Sequence, residues 1–236
     1  MEGKDRADEF LNCYRELEQA LAKKYGFDEK TFGSPIVKFL SERESEPFRD
    51  RLNLCREIRN FLSHHAEFDG ERVLQPSQAI IRFLMSVTDY VRQPPLALTC
   101  ATLYPDILKA TPSQRVLTVM KKMERQGFSH VPVIENGEWV GVFSVSTIFT
   151  YTISRGLSAI SDEMVIGDFA ELLPVDRHIT ERFQFCGNEA TVEDVRVMFE
   201  KHQWRSKRLA AVFITDNGSL GGRILGMITP WDLINY

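Results

Sequence analysis

The sequence predicts an α+β chain, with an amino-terminal helical bundle in residues 1–93 followed by a mixed α/β region in residues 94–236. Three observations lead to this prediction. Apolar residues before Gln93 recur at helical spacing. Pro94 and Pro95 then end the last of these helices. Beyond them, short β-rich runs alternate with helical segments, and the same helix and hairpin pattern occurs twice.

Composition is typical of a globular intracellular protein. The chain has 236 residues, 43% of them hydrophobic, which is enough to form two cores. Residues 1–93 contain 15 basic and 17 acidic residues, and residues 94–236 contain 14 and 16. Because extended binding to duplex DNA needs an excess of positive charge, we expect no duplex DNA partner. The sequence has neither a signal-like start nor a membrane-length apolar run, so we expect a cytoplasmic location and no membrane partner.

Four helices are predicted before Gln93. The first ends at Gly26, a residue type suited to left-handed helix caps. The second has Pro35 in its first turn, and the third starts near Pro47. The fourth follows Ser77 and stops before Pro94. We expect these helices to pack as a compact bundle.

The region after the prolines contains an internal duplication. Helix Val116–Gln126 recurs as Val192–His202, and a strand at 140–144 recurs at 225–229. In the first copy, two strands flank an Asn136-Gly137 pair of the kind that closes tight hairpins. Each copy leaves an apolar sheet face that the other can cover, so we expect the two copies to pair.

The duplicated segments resemble the CBS domain, a family named after cystathionine beta-synthase. The first copy, near residues 99–157, contains Ser129-His130-Val131-Pro132-Val133 and Gly141-Val142-Phe143-Ser144. The second, near residues 165–236, contains Gly226-Met227-Ile228-Thr229-Pro230-Trp231-Asp232. The resemblance implies a paired-domain fold, a homodimer, and a regulatory adenine-containing ligand such as AMP, ADP, ATP or S-adenosylmethionine. It implies no required cofactor.

The ligand signature of that family is a glycine, two apolar residues, a Ser or Thr, two further residues and an Asp. The second copy matches it, beginning at Gly226. The resemblance implies that Thr229 contacts a phosphate and that Asp232 binds the ribose hydroxyls, with Arg208 adding phosphate contacts. The first copy has Thr147 at the aspartate position, which argues against a ribose site there.

These residues also have purely structural interpretations. Thr229 followed three residues later by Asp232 is a suitable helix cap, which needs no ligand. The basic run around Arg208 is also typical of a solvated helix end. It consists of Lys201, His202, Arg205, Lys207 and Arg208. The sequence leaves these alternatives open, and with them the hypothesis of a ligand-free dimerising adaptor.

The third predicted helix contains a second motif. Residues 59–64, Arg-Asn-Phe-Leu-Ser-His, resemble the motif of the HEPN family, a helical-bundle group that includes metal-independent ribonucleases. The resemblance implies an RNA partner, with His64 as general acid or base, Arg59 neutralising phosphate charge and Asn60 positioning groups. Alternatively, Arg59 pairs with an acidic neighbour and His64 interacts with the helix dipole. His65 leaves the motif histidine uncertain by one residue.

Other enzyme classes have no motif in this sequence. There is no Walker loop, GxGxxG, HExxH or GxSxG pattern, so nothing indicates an NTPase, dehydrogenase, metalloprotease or serine hydrolase. The histidines lack metal-ligand spacing, and we expect no metal site. The main prediction is therefore a homodimeric ligand sensor that signals to the helical domain, and the alternatives are an endoribonuclease regulated by the CBS pair and an adaptor.

Overall fold

The computed structural model describes residues 5–28, 31–64, 67–69, 71–156, 160–201 and 207–234. The chain divides into two compact units, Met1–Pro94 and Pro95–Tyr236. Across the described ranges, no helix combines the length and the apolar character that a membrane crossing needs.

The first unit is a helical bundle with a short β hairpin. Its elements are α1 (Arg6–Tyr25), α2 (Pro35–Ser41), α3 (Arg49–His64), β1 (Glu67–Phe68), β2 (Glu71–Arg72) and α4 (Gln78–Arg92). Gly26 ends α1 with a φ of 67°, as the sequence predicts. Helix α1 packs along α4. The apolar faces of the helices enclose one core, which includes Phe10, Leu17, Phe39, Leu52 and Leu84.

The second unit contains two copies of one pattern. Its elements are β3 (Thr102–Leu103), α5 (Val116–Gln126), β4 (His130–Glu135), β5 (Glu138–Ser144), α6 (Val145–Arg155), β6 (Glu181–Gly187), α7 (Val192–Lys201), β7 (Arg208–Thr215), β8 (Ile224–Ile228) and α8 (Pro230–Ile234). The order helix, hairpin, helix occurs as α5-β4-β5-α6 and again as α7-β7-β8-α8. The predicted duplication is confirmed.

Two sheets are built from these strands. In the first copy, β4 pairs antiparallel with β5, and Asn136 and Gly137 close the hairpin with positive φ angles of 53° and 85°. The second sheet has the order β3-β8-β7-β6. Strand β6 is parallel to β7, whereas β8 is antiparallel to both β7 and β3. Strand β3, which precedes α5 in the sequence, therefore completes the sheet of the second copy.

An apolar layer joins the two copies. Val142 of β5 belongs to one buried cluster with Phe183, Phe213 and Met227 of the second sheet. The ring of Trp139 meets the ring of Phe213 edge-on, with 4.7 Å between centroids. Separate clusters fill the opposite side of each sheet, beneath the helices. Each copy therefore covers an apolar face of the other, as the duplication predicts.

Candidate functional site

An open cleft lies where the two copies meet, beside the residues that follow β8. It encloses about 620 Å³, a volume suited to a small-molecule ligand. Ser129 of the first copy lines it together with Glu181, Arg208, Thr229 and Trp231 of the second. Residues that are distant in the sequence therefore meet here because strands β4, β6 and β7 all begin at this edge.

Thr229 and Asp232 form a hydrogen-bonded pair at the start of α8. The Asp232 Oδ2 atom accepts hydrogen bonds from the Thr229 backbone N–H and hydroxyl, both at 2.7 Å. This contact is one half of a capping box, which is the structural alternative that the sequence raises. Thr229 lines the cleft, whereas Asp232 lies beside it. The hydroxyl proton of Thr229 is therefore already used within the protein, and Oδ1 of Asp232 receives no hydrogen bond from a described residue.

Arg208 brings positive charge to the cleft. It is the first residue of β7, is exposed to solvent and lines the cavity. Its side chain makes no hydrogen bond or ion pair with any described residue. In the basic run, Lys201 is exposed at the end of α7, while His202 and Arg205 lie outside the described residues. Arg208 is thus the member of that run that the structure places in the cleft.

Gly226 does not line the cleft. A Cβ atom there would lie 3.1 Å from the Cβ of Ala101 and 3.3 Å from the carbonyl oxygen of Thr102. At the equivalent position of the first copy, a Cβ on Gly141 would lie 2.1 Å from the carbonyl oxygen of Leu173. Close backbone packing therefore explains the glycine in both copies, and no ligand contact is needed.

The first copy has almost no open space beside the equivalent residues. Ser146 and Thr147, which correspond to Trp231 and Asp232, line a cavity of only about 10 Å³, at most the space of one water molecule. Ser144, at the position of Thr229, is fully buried. It forms a capping box with Thr147, in which the two hydroxyl oxygens lie 3.1 Å apart. These residues therefore leave no space for a nucleoside.

Glu181, the first residue of β6, is the carboxylate of the open cleft. Nε2 of His130 lies 3.1 Å from its Oε1, and Oε2 is contacted by Nδ1 of His178 at 3.5 Å and the Ser144 hydroxyl at 2.8 Å. Burial raises the pKa of Glu181, but hydrogen bonds from both imidazoles and Ser144 outweigh it and lower the pKa to about 2. No sequence motif surrounds Glu181, so it is not among the predicted site residues.

The helical unit carries the other candidate site on α3. Arg59 donates a hydrogen bond from Nη1 to Oδ1 of Asn60 at 3.1 Å, and its guanidinium lies 5.6 Å from the ring centroid of Tyr14. Asn60 and His64 are exposed one turn apart. The structure therefore brings Arg59 and Asn60 together, and no described side chain bonds to His64. His65 lies outside the described residues.

Within the ranges that the structure describes, no group of three or more His, Cys, Asp or Glu residues is arranged to hold a metal ion. His130 and His178 contact different oxygen atoms of Glu181, so this cluster is held together by hydrogen bonds.

Comparison with known proteins identifies the carboxy-terminal unit. The family model of the CBS domain matches residues 103–154 and 175–236. No curated protein sequence gives a significant match. Similar solved structures include CBSX2 in complex with AMP, with 16% identity, a TM-score of 0.42, and coverage of 60% of this chain and 94% of that one.

Two further solved structures are similar. A protein from Methanocaldococcus jannaschii shows 16% identity and a TM-score of 0.44, with 71% of this chain and 56% of that chain covered. A CBS-domain-containing protein from Agrobacterium tumefaciens shows 17% identity and a TM-score of 0.38, with coverage of 55% and 88%.

Proposed function

We propose that residues 103–236, which form a tandem CBS domain pair, sense an adenine nucleotide or a related adenosine compound in the cleft of the second copy and signal to the helical unit. The volume of that cleft supports the proposal. It encloses about 620 Å³ beside Thr229, whereas the corresponding residues of the first copy enclose about 10 Å³. Cavities of several hundred Å³ are the size at which proteins bind small molecules.

Each part of such a ligand has a matching group in or beside the cleft. Arg208 supplies an exposed guanidinium, free of described partners, for a phosphate. Oδ1 of Asp232 can accept a hydrogen bond from a ribose hydroxyl, since only Oδ2 is used by Thr229. Trp231 is 77% exposed at the rim, where its ring offers a stacking surface for adenine. Thr229 would donate to a phosphate only by releasing Asp232.

Thermal denaturation with AMP, ADP, ATP or S-adenosylmethionine tests this proposal. We expect at least one of them to raise the Tm, because a ligand that binds only the folded protein stabilises it. Arg208→Ala should remove most of that rise without changing the Tm of the free protein, since the Arg208 side chain forms no hydrogen bond or ion pair with a described residue. Arg125→Ala, which alters an exposed arginine of α5 outside the cleft, should respond like the wild type.

The outcomes separate a sensor from an adaptor. If none of the four compounds changes the Tm, the sensor proposal is wrong and the ligand-free adaptor is favoured. Asp232→Asn tests the ribose contact. The substitution removes the carboxylate charge but keeps an oxygen that can accept the hydrogen bonds from Thr229.

The proposal includes a homodimer formed through the helices that follow each hairpin. On α6, Val145, Phe149 and Ile153 form a stripe at intervals of four residues and are 56%, 67% and 68% exposed. The equivalent helix of the second copy, α8, exposes Ile234 at 67%. Because α6 and α8 occupy equivalent places in the duplicated pattern, a second copy of this chain related by a two-fold axis would bury both surfaces together.

A second candidate function is metal-independent cleavage of RNA by the helical unit, as in HEPN-like ribonucleases. The observation that favours it is the orientation of Arg59 by Asn60 and Tyr14, one turn from the exposed His64. In this proposal, His64 transfers the proton and Arg59 stabilises charge on the phosphate. Cleavage of unstructured RNA should persist in EDTA and disappear in His64→Ala. Intact RNA after incubation with the wild type would exclude the activity.

A further inference from the structure

We propose that Ser129, His130 and Glu181 link proton uptake to anion binding in the open cleft, so that its affinity for a phosphate-bearing ligand rises as the pH falls. The inference rests on the proposed function, because it concerns regulation of the same cleft. It depends on the hydrogen-bond pattern around one imidazole.

The contacts of His130 define the tautomer of its neutral ring. An ionised carboxylate only accepts hydrogen bonds, so Nε2, 3.1 Å from Oε1 of Glu181, carries the proton and donates it. Nδ1 is then unprotonated and accepts a hydrogen bond from the Ser129 hydroxyl at 2.9 Å. Ser129 lines the cleft, but in this state its hydroxyl proton is directed to the ring.

Protonation of His130 reverses the hydrogen bond to Ser129. With a proton on Nδ1, the ring donates at both nitrogens, and the oxygen of Ser129 becomes the acceptor. The Ser129 O–H is then free to donate into the cleft, which also gains a positive charge. Both changes favour a bound anion, and histidine is the side chain whose charge changes near neutral pH. By reciprocity, a bound anion must favour protonation of the ring.

The neighbouring groups support this role for His130. His178, on the segment before β6, lies between two acceptors, Oε2 of Glu181 at 3.5 Å and the carbonyl oxygen of Leu173 at 3.4 Å. That ring is 2% exposed and does not line the cleft. Arg208 on β7 remains positively charged, and Asp232 on α8 lies beside the cleft. Among the described residues that line the cleft, His130 is therefore the one with an imidazole ring, and both ring nitrogens are hydrogen-bonded.

Titration calorimetry with AMP tests the linkage between about pH 6.5 and about pH 8.5. We expect the association constant of the wild type to fall by up to about tenfold per pH unit, the limit for one linked proton. His130→Gln keeps an N–H donor for Glu181 but cannot gain a proton, so its slope should be much smaller. Comparing the two variants cancels the titration of AMP itself, whose phosphate has a pKa near 6. Lys121→Gln, an exposed residue of α5 outside the cleft, should keep the wild-type slope.

Two outcomes distinguish this inference from the proposed function. Equal slopes in the wild type and His130→Gln, with AMP bound by both, would overturn the proton linkage but leave nucleotide binding intact. Failure of AMP, ADP, ATP and S-adenosylmethionine all to bind at every pH would overturn both. If His130→Gln does not fold, Ser129→Ala replaces it, and the gain in affinity at low pH should shrink because the donor is missing.

Nitrogen-15 NMR of the histidine rings provides a test that needs neither a variant nor a ligand. We expect the neutral ring of His130 to carry its proton on Nε2, with Nδ1 unprotonated. A neutral ring protonated on Nδ1 would contradict the reversal of the Ser129 hydrogen bond and overturn the inference.

Discussion

Glu181 holds a negative charge where water has little access, since its side chain is 17% exposed. A shielded carboxylate is stable only when donors replace the lost water. His130, His178 and Ser144 supply such donors, from the first copy and from the segment before β6. Two of the three contacts that maintain this charge, those of His130 and Ser144, therefore exist only when the two copies are paired.

Acid should lower the free energy of unfolding because it protonates Glu181. Because its pKa falls from 4.5 to about 2 on folding, its contribution is fully present above about pH 4.5 and is lost as the pH falls towards about 2. In urea unfolding, Glu181→Gln should be less stable at neutral pH by about 2 kcal/mol and should lose less stability in acid. Glu163→Gln, with its side chain 81% exposed, should follow the wild type. Parallel acid profiles of Glu181→Gln and the wild type would contradict this prediction.

Sequence spacing predicts some contacts of the site and not others. Thr229 and Asp232 are three residues apart, so their contact follows from helix geometry alone. Glu181 is 51 residues from His130 and 37 from Ser144. Such partners meet only through the pairing of strands in two copies. The carboxylate in the cleft was therefore not predictable from local pattern.

Helices and long strands follow directly from the periodicity of the sequence. Helix α5 has the predicted bounds Val116–Gln126, and Asn136-Gly137 closes the hairpin as expected. Strand β3 and the β1–β2 hairpin consist of strands of two residues each, which are too short to show alternation. For the same reason, the sequence does not predict the pairing of β3 with the second sheet.

Strand β5 should not tolerate a side chain at Gly141. A Cβ there would lie 2.1 Å from the backbone oxygen of Leu173, so either β5 or the segment at Leu173 must move. We expect Gly141→Ala to cost more than about 2 kcal/mol of unfolding free energy in urea denaturation. In Gly221→Ala the added Cβ meets nothing within 4 Å, and the stability should change little. Equal stabilities of the two variants would refute the close packing of β5.

The duplication has produced two unlike copies. The first copy has a closed capping box where the second has an open cleft, although both share one element order. Loss of the aspartate in the first copy is visible in the sequence, whereas closure of the space around Thr147 requires the packed structure. The shared fold was predictable from pattern, but the unequal volumes were not.

The exposed stripe on α6 gives a prediction about assembly. If a second copy of the chain covers Phe149, sedimentation equilibrium should show a dimer for the wild type and a monomer for Phe149→Glu, because an uncompensated charge would be buried. Gln126→Glu adds the same charge at an exposed position of α5 and should remain dimeric. A wild-type monomer at all protein concentrations would exclude this interface.

The position of β3 has a consequence for cooperativity. The chain first contributes β3 to the second sheet, then builds the first copy, and then returns to complete the second sheet. The two copies therefore cannot separate without breaking the pairing of β3 with β8. The carboxy-terminal unit should therefore melt in one transition. A ligand bound in the cleft would then slow amide exchange at backbone N–H groups throughout both sheets.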